Sequence, residues 1–497
     1  MSSAASTPTS HPVATQPNIE HIPLCVRRII RHYVGGSAVA SFRQLSHSWE
    51  ESTDNFTLSL TLDDYPEDSD TDTDTEPDPV QEQKQQEQNE LNFWNTIHNQ
   101  LHHHDQQLPL FWTFVQRKLL SNTSHFNHVV LHAYTKDITP LQPLTTLTHL
   151  DLTNNTINDI TSLATLTKLV TLHLGCNHLN ETHLTSLEKL CHLSSLDLHW
   201  NSLSHIDSLQ PLARLTILNL SHNPIHTLAP LEQLKKLQTL NLNNCSSCKH
   251  TIDIQPLQEL LHLQQVSLYN NRLEDISALA KLTTLTVLDL GRNKLSNIVS
   301  LQHLHRLTEL QLNSNELHDV TPLRRLIHLH ELNLNHNGIR TIQPLVDLVE
   351  LRTLDLDFNQ IGWQGNLTAL QGMVELRHLR MGHNEIDSIA PVAGLFKLTE
   401  VHFYNNGVVD VGSLSSLTSL TVLDMGRNRI HDLNPCKNLL ALNFLGLKYM
   451  LQISNLSPLR WLTNLENLYT YGAGPCARDV TTLAHLEKLT VHNTKQE

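Results

Sequence analysis

From Leu147 to Lys168 the chain reads LTHLDLTNNTINDITSLATLTK, and the same lettering starts again at Leu169. The shared pattern is L-x-x-L-x-L-x-x-N-x-[IL]-x-x-[ILV]-x-x-L. Its first leucine falls at Leu147, Leu169, Leu193, Leu215, Leu237, Leu263, Leu285, Leu307, Leu329, Leu351, Leu376, Leu398, Leu420, Leu442, Leu465 and Leu486. Ten of the fifteen spacings are 22 residues, so one structural unit is repeated. About 350 of the 497 residues belong to this single array, which overrides the roughly three domains that length alone suggests.

Each letter has a physical task. Leu150-Asp151-Leu152 alternates with period two, which predicts a strand with one face inward. The asparagine (Asn155, Asn177, Asn201 and their successors) stands where the chain turns inward. There its amide can satisfy buried backbone groups in its own coil and the next. Cys245 and Met450 replace it once each, so the ladder is expected to be weakest there. The tail Ile157, Ile160, Leu163 has period three, as in a short 3-10 or extended return. One coil cannot bury its own leucines, so stacking must supply the core. Fifteen steps at the strand spacing of ~4.8 Å predict a sheet roughly 70 Å long.

Function must then lie on the outward strand residues. One column runs between the two strand leucines and includes Asp151, His173, Asp197, Asp355, Arg380, His402, Asp424 and Tyr469. The next includes His199, Tyr269, Asp357, Tyr404, Lys448 and Tyr471. This face is polar and mildly acidic, which suits a basic or mixed protein surface. Exposed rings are the best anchors because they bury much area at little entropic cost. The candidate partner-binding residues are Trp200, Tyr269, Phe358, His402, Tyr404 and Tyr469, with Asp355 and Asp357 as charge partners.

These repeats resemble the leucine-rich repeat family, in particular its 22-residue subclass, known from a regulatory subunit of protein phosphatase 1 and from bacterial internalins. The resemblance covers about 70% of the chain. It implies an α/β fold: a right-handed leucine-rich repeat solenoid with a parallel β-sheet on the concave face, short 3-10 or extended convex returns, and a small N-terminal helical segment. It also offers the phosphatase 1 catalytic subunit as a partner.

The N-terminal region has its own grammar. In residues 22–49, Val26, Ile29, Ile30 and Tyr33 follow Pro23 at helical spacing. Gly35-Gly36 interrupts, and Val39, Phe42, Leu45 and Trp49 form a second stripe. One reading is a helical hairpin that shields the end of the solenoid. The other is a resemblance to the F-box, carried by Ile22-Pro23, Ile29-Ile30 and the segment Phe42-Arg43-Gln44-Leu45-Ser46-His47-Ser48-Trp49. That resemblance implies docking on the Skp adaptor of a cullin-RING ubiquitin ligase through Pro23, Ile29, Ile30, Phe42, Leu45 and Trp49. In this organisation residues 1–18 are disordered, 19–52 are F-box-like, and 53–62 form a strand leading toward the solenoid. Residues 63–90 are a disordered acidic insertion, 91–146 a helical cap with a degenerate first repeat, and 147–497 the solenoid with its C-terminal cap.

The net charge is −15, and Asp63–Glu90 carries −11 of it, with twelve carboxylates against Lys84. Such a stretch cannot bury enough surface to fold alone. The balance also excludes a protein built mainly to grip a nucleic-acid backbone. Asp68, Asp70, Asp72 and Asp74 alternate as in a calcium loop, but no glycine accompanies them. Cys245-Ser246-Ser247-Cys248 lacks the second pair a zinc site needs, and His102-His103-His104 reads as a solvated tract. No P-loop, nucleophile elbow or zinc-protease motif is present, so the chain is expected to be no enzyme and to need no cofactor. No apolar run reaches a membrane-spanning length and residues 1–20 lack a signal-peptide core. With seven scattered cysteines, this favours a cytoplasmic or nuclear place and no membrane partner.

Overall fold

The computed structural model describes residues 56–61, 126–132, 135–246, 251–362, 367–453, 455–474 and 480–493. The F-box-like segment, the acidic insertion, the histidine tract and Cys248 lie outside them. Apart from Phe56, the described residues belong to one compact unit, residues 57–76 and 126–497.

Every strand leucine pair produces a three-residue strand. The strands begin with β1 (Phe56–Thr61), β2 (Phe126–His132), β3 (His149–Asp151), β4 (Thr171–His173), β5 (Ser195–Asp197) and β6 (Ile217–Asn219). They continue with β7 (Thr239–Asn241), β8 (Gln265–Ser267), β9 (Val287–Asp289), β10 (Glu309–Gln311), β11 (Glu331–Asn333) and β12 (Thr353–Asp355). The last six are β13 (His378–Arg380), β14 (Glu400–His402), β15 (Val422–Asp424), β16 (Phe444–Gly446), β17 (Asn467–Tyr469) and β18 (Thr490–His492). From β2 onward each strand pairs in parallel with the next, giving 17 strands in one open sheet. Register is strict across insertions: Leu354 faces Leu379 although 25 residues separate them. β1 pairs with β2.

The returns are short 3-10 turns, such as Thr161–Thr165 and Ser277–Lys281, each closed by a leucine N–H (Leu166 to Leu163 O, 2.9 Å). Proline suits their first turn, where an N–H would find no partner, as at Pro230 and Pro322. The repeat beginning at Leu169 is two residues longer than the norm. It holds the longest return among the described residues, Glu181–Lys189, capped by Asn180, whose side chain accepts the Thr182 N–H at 3.1 Å. Leucines from successive coils stack into one continuous core, nearly all 0–2% exposed.

The asparagine ladder runs the opposite way from the sequence expectation. Asn177 donates to Leu174 O and Gly175 O in its own coil, but also to Leu152 O in the preceding one, while its Oδ1 accepts the Ile157 N–H at 2.9 Å. The side chain projects back toward the earlier turn, so each asparagine closes the coil before it. At Cys245 the acceptor is missing. The Ile225 N–H turns instead to Asn223 O at 2.8 Å, and the Cys245 thiol donates to Leu220 O at 3.3 Å.

Candidate functional site

The residue just before each ladder asparagine adopts the left-handed conformation, φ 50° at Trp200, 51° at His336, 52° at Phe358 and 49° at His383. The backbone reverses here, and a positive φ costs a non-glycine residue about 1 kcal/mol. Rings at this position stack on one another. Trp200 and His222 lie 3.9 Å apart, His336 and Phe358 4.1 Å, and Phe358 and His383 3.9 Å. The structure thus places Trp200 and Phe358 on the rim of the sheet, one position beyond the outward columns that hold Asp355, Asp357, His402 and Tyr404.

Asparagine and aspartate recur in the first outward column for a structural reason. Their side-chain oxygen accepts the N–H two residues on, where the strand ends: Asp151 from Thr153 at 2.9 Å, Asp289 from Gly291 at 2.9 Å, Asp355 from Asp357 at 3.0 Å. The second oxygen of Asp355 accepts from Asn335 Nδ2 at 3.0 Å. Asp355 is therefore both a strand-end cap and a charge.

Rings in the second column rest on glycines. A Cβ on Gly291 would lie 3.0 Å from Tyr269, and one on Gly426 would lie 2.8 Å from Tyr404. Real Cβ atoms hardly ever come so close, so these glycines leave room for the rings to pack against the neighbouring strand.

Around β12–β14 the charges converge. Arg380 Nη2 meets Glu400 Oε1 at 2.7 Å, and His402 Nε2 meets the same oxygen at 2.9 Å. Asp357 takes the Gly382 N–H. Burial first, and then the neighbouring Asp355, push the Asp357 carboxyl up to about 7. Beside them a shallow depression of about 330 Å³ is lined by Asn333, Thr353, Asp355, His378, Arg380 and Glu400. From β9 to β15 the two outward columns carry Asp289, Asp355, Asp357 and Asp424, and the first strand position adds Glu309, Glu331 and Glu400, against a single arginine, Arg380.

The candidates from sequence divide accordingly. Asp355, Asp357, Phe358, His402 and Tyr404 come together on three adjacent coils. Trp200 stands at β5, Tyr269 follows β8, and Tyr469 on β17 stacks on His492 at 4.2 Å with Lys448 Nζ 5.0 Å from its ring centroid. Arg380, Glu400 and His378 belong to the central group although the sequence reading did not select them. Only Arg380 shares a column with selected residues, that of Asp355 and His402; His378 and Glu400 stand one residue before the central strand residue, a position the sequence reading did not consider.

A second constellation, also not foreseen, lies at β3–β6. Asp151 Oδ2 is 3.5 Å from His173 Nδ1, and Asp197 Oδ1 is 2.7 Å from His199 Nδ1. The hydrogen bond that the His199 ring donates to Asp197 raises His199 to about 10, with a smaller contribution from Cys176. His222, buried against Trp200 and close to that imidazolium, falls to about 4. Among the described residues no three His, Cys, Asp or Glu side chains converge as metal ligands. Among them, too, no helix is long and apolar enough to cross a membrane.

An open parallel sheet of short strands joined by 3-10 returns defines a solenoid of stacked coils. Sequence models of the leucine-rich repeat match residues 167–225; paired-repeat models match 213–259, 327–372 and 396–439; a single-repeat model matches 144–160 and 281–298. The chain is a leucine-rich repeat protein. Among solved structures, an internalin (inlF) of Listeria monocytogenes is 27% identical, with 66% of this chain and 88% of that one covered at a TM-score of 0.53. A leucine-rich repeat protein of Leptospira interrogans is 22% identical, covering 73% of this chain and 100% of its own at a TM-score of 0.63. The ectodomain of a plant membrane receptor kinase from Arabidopsis thaliana, solved in complex with CASPARIAN STRIP INTEGRITY FACTOR 2, is 22% identical, with 74% of this chain and 50% of that one covered and a TM-score of 0.53. No curated protein matches the sequence.

Proposed function

We propose that this chain is a non-catalytic receptor for a basic protein surface, which docks across β12–β14. The supporting observation is that Asp355 and Glu400 stand on neighbouring coils with the Tyr404 ring and the Phe358 stack, within a stretch where carboxylates outnumber the single arginine Arg380. Aromatic anchors provide buried area and the carboxylates select charge. Proximity labelling with the full chain identifies binders, and affinity is then measured for Tyr404→Ala combined with Asp355→Asn. Asparagine keeps the strand-end acceptor and removes the charge together with the acceptor for Asn335 Nδ2. Loss of about tenfold or more, on the scale of one hot-spot residue, supports the patch. An unchanged affinity rejects it.

The N-terminal segment refines this reading. With Pro23, Ile29, Ile30, Phe42, Leu45 and Trp49 at F-box-like places, the chain acts as a substrate receptor of a cullin-RING ligase in the cytoplasm or nucleus. Purified Skp adaptor should be retained by the full chain and lost with Pro23→Ala/Trp49→Ala. If the intact chain does not bind it, the ligase link fails. Direct association with the phosphatase 1 catalytic subunit would then favour a regulatory or scaffold role.

A further inference from the structure

We propose that Cys176 is a nucleophilic thiol, activated by His199 and oriented through Asp197, that exchanges with low-molecular-weight disulfides. Cys176 Sγ lies 3.4 Å from His199 Nε2, and the other ring nitrogen of His199 lies 2.7 Å from Asp197 Oδ1. Nucleophile, proton-holding imidazole and orienting carboxylate thus stand in one line. Three elements assemble it. Cys176 occupies the left-handed turn after β4 (φ 52°), which carries its side chain onto the rim. Asp197 ends β5, where its Oδ1 also accepts the His199 N–H at 2.9 Å and so fixes the backbone that carries the ring. Gly175 leaves room for that ring, since a Cβ there would collide with the imidazole. The thiol is partly exposed, so a small reagent can reach it.

The titratable groups near the pair come from four neighbouring strands. β3 contributes Asp151, β4 His173, β5 Asp197 and His199, and β6 is followed by His222. Asp151 faces His173, whose pKa rises on that hydrogen bond, so its charge is offset locally. His222 stays neutral at pH 7 and adds no charge. His199 keeps its proton past pH 7, and its Nε2–H points at the sulfur. The exchange balances as follows. The Cys176 thiolate attacks one sulfur of RS–SR, a new S–S bond forms as the old one breaks, and the departing RS⁻ takes the proton from His199 Nε2. Cys176 is oxidised to a mixed disulfide and one equivalent of RSH is released.

The other described cysteines serve as controls. Cys245 and Cys436 are buried, and burial pushes both thiols up to about 12. Cys191 is more exposed than Cys176, and its thiol donates to Glu188 O at 3.6 Å. The test treats the full chain with dipyridyl disulfide at about pH 6 and about pH 8 and follows each cysteine by peptide mass spectrometry. An ordinary thiol loses roughly 75-fold of its thiolate over that interval. Cys176 should slow less than Cys191 over this interval and outpace it at the lower pH. His199→Gln and Gly175→Ala should each return Cys176 to the ordinary profile, with circular dichroism checking that the fold persists. The wild-type profiles are decisive even if a variant does not fold. Parallel slowing of Cys176 and Cys191 overturns the assignment.

Discussion

Replacing Asn293 with alanine tests whether the ladder amides hold this solenoid together. Asn293 Oδ1 accepts two N–H groups, from Asn271 and Leu273, both at 3.0 Å. Its Nδ2 donates to Leu268 O, Leu290 O and Gly291 O at 2.9–3.1 Å. After truncation Leu290 O keeps Asn315 Nδ2 and Gly291 O keeps the Asn270 N–H. The Asn271 N–H, the Leu273 N–H and Leu268 O lose the partner seen here. An unsatisfied buried group costs about 1–3 kcal/mol, and partial water entry softens the sum, so Asn293→Ala should lose roughly 3–5 kcal/mol. Because each coil contacts only its neighbours, the damage should be local. Urea unfolding followed by fluorescence gives the total, and hydrogen exchange should show faster opening in peptides from β8 to β10 than in those from β15 to β17. A loss below about 1 kcal/mol, or exchange raised evenly along the chain, would refute the ladder as a stabilising element.

Three further outcomes follow from single contacts. Thr470 occupies a strand-leucine position at 0% exposure and its hydroxyl lacks a hydrogen-bond partner among the described residues; Thr470→Val should stabilise by about 1–2 kcal/mol in a thermal melt, and a loss would mean the hydroxyl is satisfied. Asp357 holds its proton to about 7 in the folded chain, so the folded state loses stability relative to the unfolded one as pH rises from about 4 to about 7. Asp357→Asn should therefore gain about 1–3 kcal/mol near pH 8 and almost nothing near pH 4, and equal gains at both would contradict the burial argument. Phe358 stacks between His336 and His383 at φ 52°; Phe358→Gly should cost about 1 kcal/mol less than Phe358→Ala, since only glycine relieves the backbone, and the two are compared by urea unfolding.

The period of 22 residues, the strand alternation and the period-three return are properties of local lettering, and each determined its element without reference to distant residues. The leucine positions chose the core because a coil has only one face to bury. Lateral neighbours are another matter. Asp355 meets Arg380 across 25 residues and Cys176 meets His199 across 23, because insertions fall in the returns while strand register is preserved. No local rule announces which of two outward residues a ring will lean on, or that Gly175 and Gly426 are the gaps that admit His199 and Tyr404. The ladder's direction was also hidden, since it depends on where the asparagine side chain projects after the left-handed residue before it. The sequence by itself determined that coils stack and which residues they bury. Tertiary structure alone decided which surface groups touch, because those contacts lie between coils and depend on side-chain direction and on space left by a neighbour.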